Sequence, residues 1–327
     1  MKQLLLGSIV AVTLFWAAAG HAAQSAEIGD YPHKPIRLII PYPPGGATDV
    51  IARTLAQKLT DSMGQSVVVD NRGGGGQVIG TDLAAKALPD GYTLIMVTIT
   101  HSINPSLHKK LPYDSIRDFA PITLVAASPQ ILVAHPSLGV GSVKELLNLP
   151  QAKTGGINYA SSGNGSGGHL AMELFKSMTG LNLVHVPYKG AGPALTDLVG
   201  GRVQLMFTSP LAALPHVKSG RLRALAMASR KRSQAAPELP TVAESGVPGF
   251  EASLWYGLLA PAGTPRGVVT RLHDVTVKAL QLRDVVERLS SQGVEPIGNS
   301  PQELAAFLKS ETAKWARVVK QAGIRVD

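Results

Sequence analysis

Short apolar runs alternate along this chain with segments whose apolar residues recur at helical spacing. The first run, residues 36–40, ends at Pro41, and a helical pattern begins after Gly46. Further runs cover residues 66–70 and 92–97, and polar or helix-like sequence separates them. Strands that alternate with helices in this way predict an α/β fold with a mostly parallel sheet and helices on both faces.

The same alternation continues beyond residue 126, where we predict a second lobe. Its strands are expected at residues 131–134, 157–160, 183–186 and 203–207. An apolar and aromatic run at residues 253–259 predicts the return to the first lobe, and amphipathic helical spacing follows it. We therefore predict lobe I from residues 26–126 and 253–327, and lobe II from residues 127–252.

One polar loop in each lobe joins a predicted strand to a predicted helix. In the first loop, residues 41–49, Gly45 and Gly46 let the backbone approach a ligand, and Thr48 or Asp49 can cap the helix. The second loop, residues 161–168, is rich in glycine and serine. Free N–H groups and the positive dipole end at a helix start bind anions. The alternative is that these loops only connect a strand to a helix and bind no ligand.

Other candidate residues come at the ends of predicted strands. Thr100 and Ser102 follow the strand at residues 92–97, and Tyr188 and Thr208 end strands of lobe II. Ligands of open α/β sheets bind at the carboxyl edge of the strands. His169, directly after the second loop, is expected to hydrogen-bond that loop, with ligand contact as the alternative.

The amino terminus predicts export. Lys2, an uncharged apolar run over residues 4–19 and small residues up to Ala22 have the layout of a signal peptide. We assign it to residues 1–25 and expect cleavage near Ala22 or a few residues later. An uncleaved anchor is the alternative, but a span needs roughly 20 apolar residues. The mature protein is then expected to be soluble, exported and monomeric.

Composition narrows the classes of function. The chain has 327 residues, 45% of them hydrophobic, so it can bury a large core in two domains. It has no cysteine, which excludes disulfides, thiolate catalysis and iron–sulfur clusters. The net charge of +9 favours an anionic partner. The densest basic cluster, residues 230–232, lacks interleaved aromatic residues, so nucleic acid is not an expected partner.

Motifs for catalysis and cofactors are weak or missing. Gly163, Gly165 and Gly168 fit a G-x-G-x-x-G dinucleotide pattern, but no acidic residue follows at the required distance. The histidines lack metal-binding spacing and no pair of carboxylates stands out, so no metal, cofactor or catalytic residue is predicted. The enzyme hypothesis that remains is an exported serine hydrolase for small esters, with Ser162 or Ser166 and His169, although the nucleophile-elbow spacing is missing.

A set of short motifs occurs together along the chain. They are residues 41–49 (PYPPGGATD), 71–76 (NRGGGG), 89–94 (PDGYTL), 111–114 (LPYD) with 118–119 (DF), 159–169, 186–190 (VPYKG) and 239–241 (LPT). In this combination the chain resembles the extracytoplasmic solute receptors of tripartite tricarboxylate transporters, the Bug family, from about Tyr31 to its end.

The resemblance implies a two-lobed, type II-like periplasmic binding protein fold without enzymatic activity. It implies a periplasmic receptor that holds a small organic carboxylate between its lobes and delivers it to membrane permease subunits. It also implies ligand contacts from both loops. In the first loop these are Tyr42, Gly46, Ala47 and Asp49. In the second loop they are Ser161, Ser162 and Gly165.

Overall fold

The apolar runs form β-strands that assemble into two sheets. The computed structural model describes residues 29–42, 44–45, 47–188, 191–233, 236–291 and 293–323, so the predicted signal peptide lies outside the described residues. The first sheet contains β1 (Ile36–Ile40), β2 (Val67–Asn71), β3 (Thr93–Thr98), β4 (Phe119–Ser128), β10 (Leu254–Pro261) and β11 (Glu295–Pro296). The second contains β5 (Ile131–Ala134), β6 (Ile157–Ser161), β7 (Leu183–Pro187), β8 (Leu205–Thr208) and β9 (Arg223–Met227).

The helices connect and cover these strands. Those before the second sheet are α1 (Ala47–Met63), α2 (Val78–Ala85) and α3 (Ile99–Leu107). Those that join its strands are α4 (Val143–Asn148), α5 (Pro150–Thr154), α6 (Gly167–Thr179), α7 (Ala191–Val199) and α8 (Pro210–Lys218). The carboxyl-terminal part contains α9 (Arg266–Leu280), α10 (Arg283–Ser290) and α11 (Pro301–Ala322). In the described part of the chain, no helix is long and apolar enough to cross a bilayer.

The predicted two-lobed α/β fold class is confirmed, but the described sheets are mixed rather than mostly parallel, because strands that return from the other lobe or the carboxyl-terminal part pair antiparallel. The first sheet has the order β11-β4-β10-β3-β1-β2, and β1 pairs in parallel with both β2 and β3. The second sheet has the order β7-β6-β8-β5-β9, with β6 parallel to β7 and β8. β10 is antiparallel to both β3 and β4, so the returning chain enters the first sheet between them. Because β1, β3, β6 and β8 all feed helices at their carboxyl ends, those helix starts meet on one side of each sheet.

The chain crosses between the sheets twice, and Gln130 in the first crossing is hydrogen-bonded to residues of the second. The first crossing lies between Ser128 and Ile131, and the second between β9 and β10. Gln130 donates from Nε2 to the carbonyl oxygen of Ala252 at 2.8 Å and accepts from Ala228 N at 2.7 Å. The apolar run at residues 122–125 alone would make a short strand, but β4 has ten residues because β10 pairs along its whole length.

The carboxyl-terminal helix α11 joins the lobes. It packs against α3 and β4 of the first lobe and against α6 of the second. Its Glu311 is buried and accepts hydrogen bonds from Trp255 Nε1 at 3.0 Å and Trp315 Nε1 at 2.9 Å. A capping box formed by Ser300 and Glu303 starts this helix, and Gly323 ends it with a φ of 64°.

Candidate functional site

A cleft of about 500 Å³ lies between the two sheets, and its size suits a small ligand. Six helices begin at residues that line it. These residues are Ala47 and Thr48 of α1, Gln77 before α2, Ile99 and Thr100 of α3, Gly167 and Gly168 of α6, Ala191 of α7, and Ser209 before α8. The first N–H groups of a helix have no partner within it, so these helix starts bring amide donors and positive dipole ends to the cleft. Some of the donors are already used, since Ser166 and Ser209 each accept from one N–H of α6 and α8, and Pro210 at the start of α8 has none.

The rest of the lining is neutral. Among the described residues, no lysine, arginine, histidine, aspartate or glutamate lines the cleft. Hydroxyl and amide groups from both lobes alternate with apolar surface from β8 and β10. The electrostatic character of the cleft therefore comes from backbone amides and helix dipoles.

The fourteen predicted site residues fall into three groups. Those that line the cleft are Tyr42, Ala47, Thr100, Ser162, Gly165 and Thr208. Those described but placed away from the lining are Gly45, Asp49, Ser102, Ser161, Gly163, His169 and Tyr188. Gly46 lies outside the described residues. Ser102 is fully buried on α3, and the Tyr188 hydroxyl donates to Asp197 Oδ2 at 2.8 Å.

Asp49 holds the first loop in shape. Its Oδ2 accepts from the Gly45 amide at 3.0 Å and from Arg53 Nε at 3.0 Å, and its Oδ1 accepts from Asn71 Nδ2 at 2.9 Å. Burial acts to raise the pKa of Asp49, but these hydrogen bonds and the Arg53 charge outweigh it, so the pKa lies below its usual value. Because the Gly45 amide is occupied, the described amides of this loop that can face an anion are those of Ala47 and Thr48 at the start of α1.

A stacked pair of histidines holds the second loop. The rings of His169 and His185 are parallel within 7°, with centroids 3.8 Å apart. His169 Nδ1 accepts from the Gly165 amide at 3.0 Å, and His185 Nε2 lies 2.6 Å from the hydroxyl of Ser161. The Gly163 amide donates to that same hydroxyl at 3.2 Å. The prediction that His169 hydrogen-bonds its own loop is therefore confirmed.

Both histidines of this pair are held neutral. Burial is the main cause that lowers the pKa of His169 to about 3, and the neighbouring His185 ring and the Lys176 ammonium also disfavour a proton there. Burial also lowers the pKa of His185, against the attraction of Glu173. Because Nδ1 of His169 accepts the Gly165 amide, the proton of the neutral ring is on Nε2. The second loop therefore keeps an acceptor for its amide at every pH above about 4.

Two glycines permit the close approach of the second loop to its surroundings. Gly165 has a φ of 72°, a conformation that other residues rarely adopt. A Cβ atom on Gly168 would lie 2.6 Å from the carbonyl oxygen of Phe207, which is closer than real contacts allow. The start of α6 therefore packs directly on the end of β8, and both segments line the cleft.

The serine and histidine side chains do not assemble as a hydrolase would need. Ser166 caps α6 and accepts from the backbone N of His169 at 3.4 Å, while the ring of His169 is engaged by Gly165. In the second loop the serine hydroxyl that lies close to a histidine ring is that of Ser161, beside His185, and Ser161 is fully buried away from the cleft lining. Among the described residues that line the cleft, neither Ser162 nor Ser166 is hydrogen-bonded to a histidine ring, as the nucleophile of a serine hydrolase would be.

Tyr42 and Tyr256 bring neutral phenol groups to the first-lobe side. The Tyr42 hydroxyl lies 2.5 Å from Thr98 Oγ1. Burial raises the pKa of Tyr42, partly offset by hydrogen bonding to Thr98, and burial also raises the pKa of Tyr256. Both side chains therefore stay protonated, and a protonated phenol can donate a hydrogen bond to an anion.

Gln77 and Gln130 line the cleft but were not among the predicted residues. Gln77 has a φ of 79°, and no other described non-glycine residue has a positive φ. Such conformations concentrate at functional sites. Gln130 donates to Gly167 O at 3.3 Å as well as to Ala252 O, so it links the start of α6 to the second crossing. A polar residue between two apolar strands was the only local signal for Gln130.

Comparisons with known proteins agree on one family. A profile described as "Tripartite tricarboxylate transporter family receptor" matches residues 51–324. Protein BugT of Bordetella pertussis is 41% identical over 320 residues, which cover 97% of this chain and 98% of BugT. A structure from R. palustris solved with adipate is 39% identical with a TM-score of 0.77, covering 90% of this chain and all of that one. MatC from Rhodopseudomonas palustris with bound malate is 32% identical with a TM-score of 0.74, covering 88% of this chain and all of MatC.

Proposed function

The chain belongs to the tripartite tricarboxylate transporter receptor family, and from that premise we propose that its cleft captures a small organic carboxylate for a membrane permease. The observation that carries the proposal is the meeting of six helix starts around a cleft whose described lining has no charged side chain. Helix N-termini provide oriented N–H donors and a partial positive charge, which together suit a carboxylate.

The expected affinity is in the range of a transport receptor. Three or four charge-assisted hydrogen bonds contribute about 1.5–3 kcal/mol each, and micromolar binding needs about −8 kcal/mol after the cost of closure. Relatives solved with adipate and malate provide ligands of the right chemistry for a first screen.

We propose that the predicted lobes, residues 26–126 with 253–327 and residues 127–252, close around the ligand. The hinges are the two crossings, which Gln130 connects through Ala228 and Ala252. Closure would reduce the radius of gyration in small-angle scattering when ligand is added. An unchanged radius at saturating ligand would contradict the hinge without contradicting binding.

We further propose that the protein acts in the periplasm as a monomer, after removal of the signal peptide, and binds its ligand without chemical turnover. The signal layout of residues 1–25 supports export. The engaged ring of His169 and the buried position of Ser161 support binding without turnover.

Mass spectrometry of the native protein tests the cleavage, since an intact Lys2 would contradict it. Light scattering tests the monomer, since twice the chain mass would contradict it.

A thermal-shift screen of organic acids tests the carboxylate proposal. A ligand at 100 times its dissociation constant adds about 2.7 kcal/mol to the free energy of unfolding. Uncharged methyl esters of the same acids serve as matched controls and are expected to have no effect. Recovery of the intact acid after incubation supports a receptor, whereas turnover of the esters would favour the hydrolase. Failure of every acid in a broad panel would contradict the proposal.

A further inference from the structure

We propose that Glu311, on the carboxyl-terminal helix α11 and outside the cleft lining, is a positioning residue for ligand binding. Its carboxylate holds the indole of Trp255, a residue of the cleft wall, in one orientation. The inference rests on the proposed capture of a carboxylate, and it adds a residue that acts on the ligand only through another side chain. It also links α11, which packs on both lobes, directly to the cleft.

Glu311 is a buried carboxylate with three partners. Its Oε2 accepts from Trp255 Nε1 at 3.0 Å and from Trp315 Nε1 at 2.9 Å, and its Oε1 is paired with the ammonium of Lys314. Hydrogen bonds to an ionised group are stronger than those between neutral groups. The carboxylate is therefore fixed in place, and its Oε2 is a firmly held acceptor for both indoles.

The two indoles differ in what they connect. Trp315 lies four residues after Glu311 on the same helix, so its hydrogen bond stays within α11. Trp255 lies on β10, next to the second crossing, so its hydrogen bond joins the first sheet to α11. The Trp255 ring also packs edge to face on Phe307 of α11, with ring centroids 5.4 Å apart. Of the two tryptophans, Trp255 lines the cleft and Trp315 does not.

Trp255 adjoins a tightly packed part of the cleft wall. The preceding residue, Leu254, also lines the cleft. A Cβ atom on Gly167 would lie 2.5 Å from Leu254 Cδ2, so the Leu254 side chain packs directly on the start of α6. Gly167 is itself part of the lining and has one of the first N–H groups of α6. Because packed groups transmit displacements, a shift of Trp255 would disturb a helix start that we propose as an anion contact.

A purely structural role for Glu311 is the alternative, and burial alone does not exclude it. Replacing a buried ion pair by apolar residues is often neutral or stabilising, so stability does not by itself require a carboxylate here. An oxygen acceptor is required where two indole N–H donors must be held at one point, because a buried N–H without a partner is costly. Ligand binding must therefore be measured separately from stability, and the two indoles separately from each other.

Trp255→Phe and Trp315→Phe are matched variants, because each removes one indole N–H from the same carboxylate oxygen. The probe is whichever acid of the thermal-shift screen, adipate and malate included, stabilises the unmodified protein most. We expect Trp255→Phe to raise the dissociation constant at least about 10-fold and Trp315→Phe to raise it about twofold or less. Titration calorimetry gives both values, and chemical denaturation gives the stability of each variant. Effects on binding that differ by less than about fivefold would overturn the proposal.

Variants of Glu311 separate the hydrogen-bond acceptor from the charge. Glu311→Met removes the acceptor at similar volume, whereas Glu311→Gln keeps an oxygen that can accept from both indoles. We expect Glu311→Met to weaken binding at least about 10-fold and Glu311→Gln to stay within about threefold of the unmodified protein. Normal binding by the Met variant would overturn the proposal. A Gln variant as weak as the Met variant would also overturn it, because the acceptor would then not be the cause.

A double-mutant cycle tests whether Glu311 acts through Trp255. In the Trp255→Phe background, Glu311→Met should weaken binding further by about twofold or less, because the indole it holds is already gone. In the Trp315→Phe background, Glu311→Met should keep its effect of at least about 10-fold. A full effect in both backgrounds would mean that Glu311 acts through the packing of α11 as a whole, which overturns the proposal.

Tryptophan fluorescence gives a readout that needs no ligand. Of the three tryptophans in the chain, Trp16 lies in the predicted signal peptide, so Trp315→Phe leaves Trp255 as the single tryptophan of the mature protein. In that background, Glu311→Met should increase the quenching of Trp255 by acrylamide, because the indole loses the acceptor that holds it, and Glu311→Gln should not. Unchanged quenching in the Met variant would overturn the proposal.

The outcomes separate this role from the proposed function. If no acid binds the unmodified protein, carboxylate capture and the role of Glu311 in it are both overturned. If the probe binds but Trp255→Phe and Trp315→Phe have equal effects, the role of Glu311 is overturned and carboxylate capture stands. If Glu311→Met does not fold, the two tryptophan variants still decide, because they remove the same hydrogen bonds from the donor side.

Discussion

The two loops that face each other across the cleft are held by different chemistry. The first loop depends on a charge, because Asp49 anchors the Gly45 amide and is paired with Arg53. The second loop depends on neutral contacts, because His169 anchors the Gly165 amide and stacks on His185. In both loops a backbone amide donates to the side chain four residues later. The acceptor is a charged carboxylate in the first loop and a neutral imidazole in the second.

The difference follows from access to water. Arg53 is half exposed, so the ion pair of the first loop is partly screened by solvent and salt. His169 is 4% exposed and stacks on His185, which stacks in turn on Tyr159, so a charge on His169 would be strongly unfavourable. A neutral anchor can therefore be sealed inside lobe II, whereas a charged anchor needs its partner at the surface. We expect the two loops to respond differently to substitution, pH and salt.

The largest effect is expected from Gly168→Ala in lobe II. Its Cβ would lie 2.6 Å from the backbone oxygen of Phe207, so the start of α6 must move. Overpacking of this kind costs about 1–3 kcal/mol of stability, and the shifted amides should weaken ligand binding at least about 10-fold. Gly192→Ala is the matched control, because nothing lies within 4 Å of its added Cβ. Calorimetry and chemical denaturation measure both, and unchanged binding by Gly168→Ala would show that this helix start is not a ligand contact.

The next effect is expected from Asp49→Asn in lobe I. The amide can accept one hydrogen bond in place of the carboxylate but loses the charge that Arg53 compensates. We expect about 1–3 kcal/mol of lost stability and roughly 10-fold weaker binding. Asp284→Asn provides the same substitution at an exposed pair with Lys58, where little change is expected. Equal effects of the two variants would mean that Asp49 does not organise the first loop.

A third prediction uses pH to distinguish the two anchors. The pKa of His169 is about 3 when folded, against about 6.5 when unfolded, so the unfolded chain binds one more proton between these values. His169 should therefore contribute a fall of about 1.4 kcal/mol per pH unit in the free energy of unfolding as the pH drops below 6.5. The pKa of Asp49 is also lowered, but there the fold stabilises the charged form, so the contribution of Asp49 is lost only as the pH falls below the usual pKa of a carboxyl group.

Two variants test the assignment of this slope. His169→Asn should reduce the slope between pH 6 and 4 by about 1.4 kcal/mol per unit. His101→Asn should do the same, because burial lowers the pKa of His101 to about 4. Only His169→Asn should also weaken ligand binding, since His101 contacts Ser115 O away from the cleft lining. If neither variant changes the slope of the free energy of unfolding against pH, the proposal that His169 is neutral in the folded protein is contradicted.

Local sequence predicted the parts of the site that depend on neighbouring residues. The apolar run before Pro41 predicted β1 and the helix after it, and the glycine-rich run after β6 predicted the start of α6. Both lobes and the fold class followed from that alternation. His169 was predicted to bind its loop because its partner is only four residues away.

The remainder depends on contacts between distant segments, which local patterns do not contain. Gln130 bonds to Ala252, 122 residues later, and Asp49 bonds to Asn71, 22 residues later. The role of Gln77 depends on a positive φ that its sequence does not suggest. The same limitation applies to Asp49, which was predicted as a ligand contact by resemblance and which the structure places behind the lining, where it shapes the loop.

The smallest effect is expected from Arg53→Gln. Arg53 donates to Asp49 at 3.0 Å and to Asn71 Oδ1 at 3.0 Å, but its side chain is 52% exposed. The Gly45 and Asn71 contacts of Asp49 remain, so we expect about 0.5 kcal/mol or less of lost stability and roughly twofold weaker binding. High salt should remove the difference, because it screens the pair in the unmodified protein. Calorimetry at low and high salt on Arg53→Gln, Asp49→Asn and the double variant forms a double-mutant cycle, which gives the coupling energy between Arg53 and Asp49. An effect of Arg53→Gln as large as that of Asp49→Asn, and insensitive to salt, would mean that the first loop is held by the guanidinium fork rather than by the carboxylate.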